Sequence, residues 1–157
     1  MKFSLCCCCF TFTQFSNQKL LPQAEQQGVN LRTLLPQTLP FVYGDIGLIE
    51  RALSNLIDNA IYYTPGGGEV AIELVQSDGE VQVKVSDTGC GIPPEDLPYI
   101  FDRFYRVEKG RSRSTGGAGL GLAIAQKIVE AHNRTISVKS VVNAGTTFAF
   151  KLPIYQK

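Results

Sequence analysis

Between Ile49 and Tyr63 the chain reads IERALSNLIDNAIYY, and Ile49, Ala52, Leu53, Leu56, Ile57, Ala60 and Ile61 recur there at i, i+3, i+4, i+7, i+8, i+11 and i+12. That period gathers apolar side chains on one side of an α-helix, a face that has to be buried. Arg51, Asn55, Asn59 and Tyr62 or Tyr63 line up along the border of the stripe. A carboxamide oxygen can coordinate a hard cation, so two of them one turn apart suit a metal ion and its phosphates. The same residues also suit an ordinary solvated helix edge, asparagine being only a mediocre helix former.

Two glycine-rich stretches follow. EVQVKVSD, Glu80 to Asp87, alternates apolar and polar with Val81, Val83 and Val85 on one face, the pattern of a half-buried strand. It runs into DTGCGIP, Asp87 to Pro93. A carboxylate at a strand end, followed by Gly89 and Gly91, is a fixed acceptor beside backbone that a planar ligand can approach. An adenine amino group fits such an acceptor, and a tight Asp-Gly turn fits it equally. The second stretch, GGAGLGLAIAQKIVEAH, spans Gly116 to His132, with Leu120, Ala123, Ile124, Ile128 and Ala131 as its helix face. A glycine-rich loop opening into a helix N-terminus presents free N–H groups and the positive end of the helix dipole, a setting for phosphate. The spacing is neither a Walker loop nor GxGxxG.

In this order and at these separations, the segments resemble the catalytic ATP-binding domain of sensor histidine kinases. NLIDNA resembles the N box of that family, DTGCGIP its first glycine box, FDRFYRV (Phe101 to Val107) its F box, and GAGLGLAI its second glycine box. The resemblance runs from about Leu20 to Pro153 and closes on the strand pair TISVKS and GTTFAFKLP. It implies the Bergerat fold shared with gyrase, Hsp90 and MutL ATPases, an α+β two-layer sandwich. There, three helices cover one face of a mixed, mostly antiparallel sheet of about five strands, and ATP lies under a mobile lid.

The resemblance also implies ligands. Asp87 matches the acceptor of the adenine amino group, with Gly89, Gly91 and Ile92 beside it. Asn59 matches the asparagine that ligates Mg2+, and Tyr63 the usual aromatic. Gly117, Gly119, Leu120, Gly121 and Leu122 match the second glycine box around the phosphates of ATP or ADP. Arg106 and Arg111 align with basic lid positions, Lys109 and Arg113 adding local charge. Phe101 and Phe104 match the residues that pack the lid and help dock the acceptor domain, Phe101 also counting among the expected nucleotide-binding residues, although plain core roles also fit them. Asn55 stands where the ATPase relatives carry a water-activating glutamate. An amide cannot take a proton from water, so transfer to a side-chain nucleophile is the favoured chemistry, with Asn55, Asn59 and Arg106 as its catalytic residues.

In the family the acceptor is a histidine on a separate dimerisation and phosphoacceptor domain, and the phosphoryl group then passes to a response regulator. His132, the single histidine here, closes the second glycine-box helix rather than lying in an acceptor motif. It is expected to be structural, with the acceptor elsewhere. Two departures stand out: Tyr62 replaces a frequent lysine or arginine, and Asn133 and Arg134 replace a glycine turn.

With 157 residues, 44% of them apolar, the chain has room for one core, and a net charge of +1 gives no reason to invoke nucleic acid. No run of about 20 apolar residues spans a bilayer, so a cytoplasmic domain is expected, whether or not a parent protein is membrane-anchored. Residues 1–19 read either as a leader or as a first strand (about Phe3 to Leu5) and the start of a helix, with 20–157 as the domain proper. The run Cys6 to Cys9 suits neither reading well; adjacent cysteines cannot all face one metal, and no structural disulfide is expected. The remaining elements read as a helix to Gln27, strand Val29 to Leu34, extended Phe41 to Tyr43, the N-box helix, strands Glu69 to Gln76 and Glu80 to Ser86, the lid, helix Leu120 to Ala131 and a closing hairpin.

Overall fold

The computed structural model describes residues 4–6, 19–38, 40–107 and 119–155. Strand β1 (Ser4–Cys6) precedes α1 (Leu21–Gln27), β2 (Asn30–Leu34), β3 (Val42–Gly44) and α2 (Ile46–Tyr63). Then come β4 (Glu69–Ser77), β5 (Glu80–Asp87), a 3-10 turn at Leu97–Tyr99, α3 (Gly121–Ala131), β6 (Ser137–Val141) and β7 (Gly145–Pro153). The expected bounds of β2 and β3 each shift by about a residue. Val29 is buried but donates its N–H to Ala24 O, closing α1 rather than joining the sheet.

Five strands form a sheet in the order β2-β4-β5-β7-β6, parallel only between β2 and β4. β1 and β3 make a separate antiparallel pair, and Val42 bridges to Ile154 just past β7. This is the expected α+β two-layer sandwich: helices cover one sheet face, where Val81, Val83, Val85, Phe148 and Phe150 are buried, while Gln82, Lys84 and Ser86 turn the other way. Among the described residues, no helix is long and apolar enough to cross a membrane.

Helix α2 is the keel of the domain. All seven apolar stripe residues are buried, so the period read from sequence is the packing face observed. Asp45 caps its start, Oδ1 accepting from Leu48 N at 3.0 Å. His132 ties that cap to the end of α3: Nε2 accepts from Asp45 N at 3.0 Å, which leaves Nδ1 to carry the proton and donate to Ile128 O at 2.7 Å. The histidine is therefore a structural link between two helices. Past it, Asn133 takes φ 56°, the left-handed conformation that a glycine adopts at a helix end and that asparagine tolerates best among other residues. Ala131, expected on the buried face of α3, is exposed, because the helix ends there and turns away.

Candidate functional site

One cavity of about 520 Å³ opens between α2, the end of β5 and the start of α3. α2 contributes Asn55, Asn59 and Tyr63 from the border of its buried stripe, and β5 contributes Asp87 from its last position. Gly91, Ile92, Arg106, Gly119, Leu120, Gly121 and Leu122 complete the expected set that reaches the wall. Four segments far apart in sequence thus converge on one space. Arg111 and Gly117 lie outside the described residues, as do Lys109, Arg113 and Cys7 to Cys9.

Asp87 is 9% exposed. Its Oδ1 accepts from Gly89 N at 2.8 Å and from Thr146 N at 3.3 Å. Those two donors satisfy one carboxylate oxygen and fix its plane. Burial nonetheless pushes the carboxyl above its usual range, the two N–H groups opposing this in part. Gly89 does not line the cavity; it works from behind. A Cβ there would lie 2.5 Å from Tyr63 O and 2.8 Å from Asp87 Oδ1, so only glycine lets the turn close on the carboxylate. Gly91, with φ 70°, sits under the β6–β7 hairpin, where a Cβ would come within 2.2 Å of Val141 O.

At the far end of the cavity, Asn55 Nδ2 is a buried donor with no acceptor among the described residues. Helix α3 begins opposite it at Gly121, whose missing Cβ would stand 3.8 Å from the Asn55 side chain. Among the described residues no side chain caps α3, and its first N–H groups and positive dipole end face this space. A buried amide donor, a second carboxamide one turn on and an uncapped helix N-terminus form a donor set suited to an anion with an associated hard cation. The Arg106 guanidinium, in the wall nearby, has no carboxylate partner among the described residues.

Phe101, expected among the nucleotide-binding residues, is outside the wall: it stacks edge-on against Phe148 at 6.2 Å, which anchors the F-box segment to the core. Phe104 does the reverse. It is 69% exposed, so the plain core role is excluded for it, because φ 64° turns the chain sharply and throws the ring outward.

Several wall residues were not foreseen from sequence. Thr146 is buried and supplies the second N–H on Asp87 from a strand 59 positions away. Asp58, beside Asn59, also lines the cavity; burial pushes its carboxyl up, opposed by a hydrogen bond from Gln23 and the charge of Lys19. Tyr62 and Tyr63, both already placed on the border of the helix stripe by the sequence, meet edge to face at 4.9 Å in the wall. Only the alternating pattern that runs on from Thr146 and the helical offset of Asp58 from Asn55 hinted at Thr146 and Asp58.

A family model described as histidine kinase-, DNA gyrase B- and HSP90-like ATPase matches residues 44–156. The sensor histidine kinase RppB of Synechocystis sp. is 40% identical over 95% of this chain and 33% of its own length. The sensor protein SrrB of Staphylococcus aureus is 42% identical over 86% of this chain and 23% of its own. The chain thus spans a third or less of the length of these curated relatives. Among solved structures, the catalytic domain of histidine kinase ThkA superposes with a TM-score of 0.82 at 25% identity, over 98% of this chain and 97% of that one. Full-length ShkA in complex with AMPPNP gives 0.85 at 26% identity, over 100% of this chain and 32% of that one. With its buried acceptor, paired asparagines and uncapped helix in one cavity and the model matched over most of its length, this chain belongs to the family of histidine kinase-, DNA gyrase B- and HSP90-like ATPases.

Proposed function

We propose that this chain is the catalytic, ATP-binding domain of a two-component sensor histidine kinase, with residues 20–157 as the domain and β1 adding to it. It transfers the γ-phosphoryl group of ATP to a histidine on a separate dimerisation and phosphoacceptor domain, from which a response regulator draws it. The observation that carries this reading is the single cavity with a fixed carboxylate at one end and a phosphate-suited donor set at the other. The relatives named sensor histidine kinases support the choice of reaction.

Each residue then has a task. Asp87 accepts from the adenine amino group; a guanine carbonyl in its place would meet a carboxylate with no proton to offer. The N–H groups at the start of α3, with Gly119 to Leu122, hold phosphate oxygens, and Tyr63 and Ile92 bound the base. The Asn59 carboxamide oxygen would hold Mg2+, which when bound would supply charge neutralisation at the phosphates. Asn55 donates Nδ2 to a phosphate oxygen and, having no basic atom, activates no water. Asp58 is a second carboxylate in the wall, and Gln23 hydrogen-bonds to it. Positioning and charge neutralisation are therefore the chemistry, and the nucleophile comes from the partner domain. Arg106 steadies the transferring phosphoryl group, with Arg111 and Gly117 assigned to the same end from the resemblance. The setting is the cytoplasm, where ATP and response regulators are found.

The test is calorimetric titration with a non-hydrolysable ATP analogue, with and without Mg2+ and with GTP as comparison. It is followed by incubation with labelled ATP and a supplied phosphoacceptor domain. Magnesium-enhanced, adenine-selective binding and an acid-labile phosphohistidine on the acceptor are expected. Absence of nucleotide binding refutes the reading. Binding without transfer to any acceptor domain would instead make the chain an ATP-sensing regulatory module.

A further inference from the structure

Between the two ligand-bearing loops the chain makes a compact excursion whose polar contacts have no part in the tasks above. Asp96 N–H donates to Pro93 O at 3.0 Å and Tyr99 N–H to Asp96 O at 2.9 Å, which folds residues 93–99 into consecutive turns. Ile100 is buried and Phe101 is pinned on Phe148, so the excursion is rooted in the core at this point. At Phe104 the backbone enters the left-handed region, and its N–H donates to Gly119 O at 3.0 Å. The reversal sends Tyr105 back over the turns it came from. Its ring lies 5.7 Å from that of Tyr99, and its hydroxyl donates to Asp96 Oδ1.

Arg106 follows immediately, in the cavity wall and without a carboxylate partner among the described residues. The Tyr105–Asp96 bond is the one side-chain hydrogen bond made by residues 104–107 among the described residues. Without it, Arg106 would hang from two backbone hydrogen bonds, Phe104 to Gly119 and Tyr105 N to Asp102 O at 3.2 Å. A bound nucleotide with its base at Asp87 extends its phosphates toward Asn55 and Gly121, the end at which the Phe104–Gly119 contact brings the arginine in.

We propose that Asp96 is a positioning residue: by holding the Tyr105 hydroxyl it sets where Arg106 enters the cavity, so that the guanidinium meets the terminal phosphate of a bound nucleoside triphosphate. The inference rests on the nucleotide-binding reading above. Donation to the Asp96 carboxylate pushes the Tyr105 phenol up to about 12, so the tyrosine keeps the proton it donates across the physiological range. The bond forms between half-buried groups at the F-box segment, outside the hydrophobic core. Its removal leaves the core and the adenine acceptor in place, and its effect is on one end of the cavity.

The test compares the affinity of the chain for a non-hydrolysable ATP analogue with that for ADP, both with Mg2+, for the parent protein and for Asp96→Ala, Asp96→Asn, Tyr105→Phe and Arg106→Ala. The parent protein is expected to prefer the triphosphate. Asp96→Ala and Tyr105→Phe should reduce that preference by roughly tenfold, the size of one charge-assisted hydrogen bond, while changing ADP affinity less than about twofold. Asp96→Asn, which still offers an oxygen to the tyrosine, should retain the preference. Asp96→Ala combined with Arg106→Ala should be no worse than Arg106→Ala alone. A parental preference retained in Asp96→Ala overturns the proposal, as does an equal loss of ATP analogue and ADP, which would mark a merely structural contact. A parent protein that binds neither nucleotide refutes the nucleotide reading and this inference together; one that binds both while Asp96→Ala and Tyr105→Phe behave like the parent refutes this inference only.

Discussion

Replacing Asp87 by asparagine separates the binding role of this residue from its role in the fold. In the folded protein Oδ1 takes the N–H groups of Gly89 and Thr146, and an asparagine Oδ1 can take both unchanged. The difference is confined to the other position, where an acceptor becomes an NH2 donor facing the adenine amino group. One hydrogen bond to a charged group contributes about 1.5–3 kcal/mol, which corresponds to roughly 10- to 150-fold in affinity at about 1.4 kcal/mol per tenfold. Stability should move the other way or not at all. Because burial raises the carboxyl's folded-state pKa above its unfolded value, the charged form carries a penalty at neutral pH. That penalty disappears as pH falls through the folded value toward the unfolded one. Asparagine removes it at every pH. Titration calorimetry and urea unfolding on the same variant therefore give opposite expectations: nucleotide binding falls by at least about tenfold while the unfolding midpoint holds or rises. In the parent protein, affinity should also decline on acidification at a pH above the ordinary carboxylate range, and in Asp87→Asn it should not. Unchanged affinity in the variant, or affinity lost only in step with stability, would refute the assignment of Asp87 as the adenine acceptor.

Other substitutions probe the remaining parts. Asn59→Ala should weaken Mg2+-dependent nucleotide binding by at least about tenfold, on the order of what a lost metal-site contact removes, and metal-free binding much less; equal losses in matched titrations would count against a metal role. Leu56→Ala, at a fully buried position of α2, should destabilise the fold by about 2–5 kcal/mol in urea unfolding, and a loss below 1 kcal/mol would mean that α2 is not the keel. His132→Ala leaves the Asp45 N–H without its acceptor and should lower stability by about 1–3 kcal/mol; a variant as stable as the parent would show that the link between α3 and the α2 cap is idle.

The helix stripe of α2, the alternation of β5 and the order of the ligand segments were legible in the sequence because each is a property of one element. A periodic pattern records which side of a helix or strand is buried, and it needs no partner to be read. Even the departure at Asn133 became intelligible from conformational preference alone, once the chain was seen to need a left-handed residue there. Resemblance to a known family supplied the functional labels that periodicity could not.

What only the tertiary structure decided is how elements meet. Thr146 reaches Asp87 because β5 and β7 pair with Asp87 opposite Thr146. His132 reaches the Asp45 cap of α2 because α3 lies across it, and Tyr105 turns back to Asp96 because the backbone reverses at Phe104. None of these partners is at a helical or strand offset from the other. Sequence periodicity fixes which faces are hidden within an element, whereas strand register and helix crossing, set by the packing of the whole core, determine which polar groups confront one another across it.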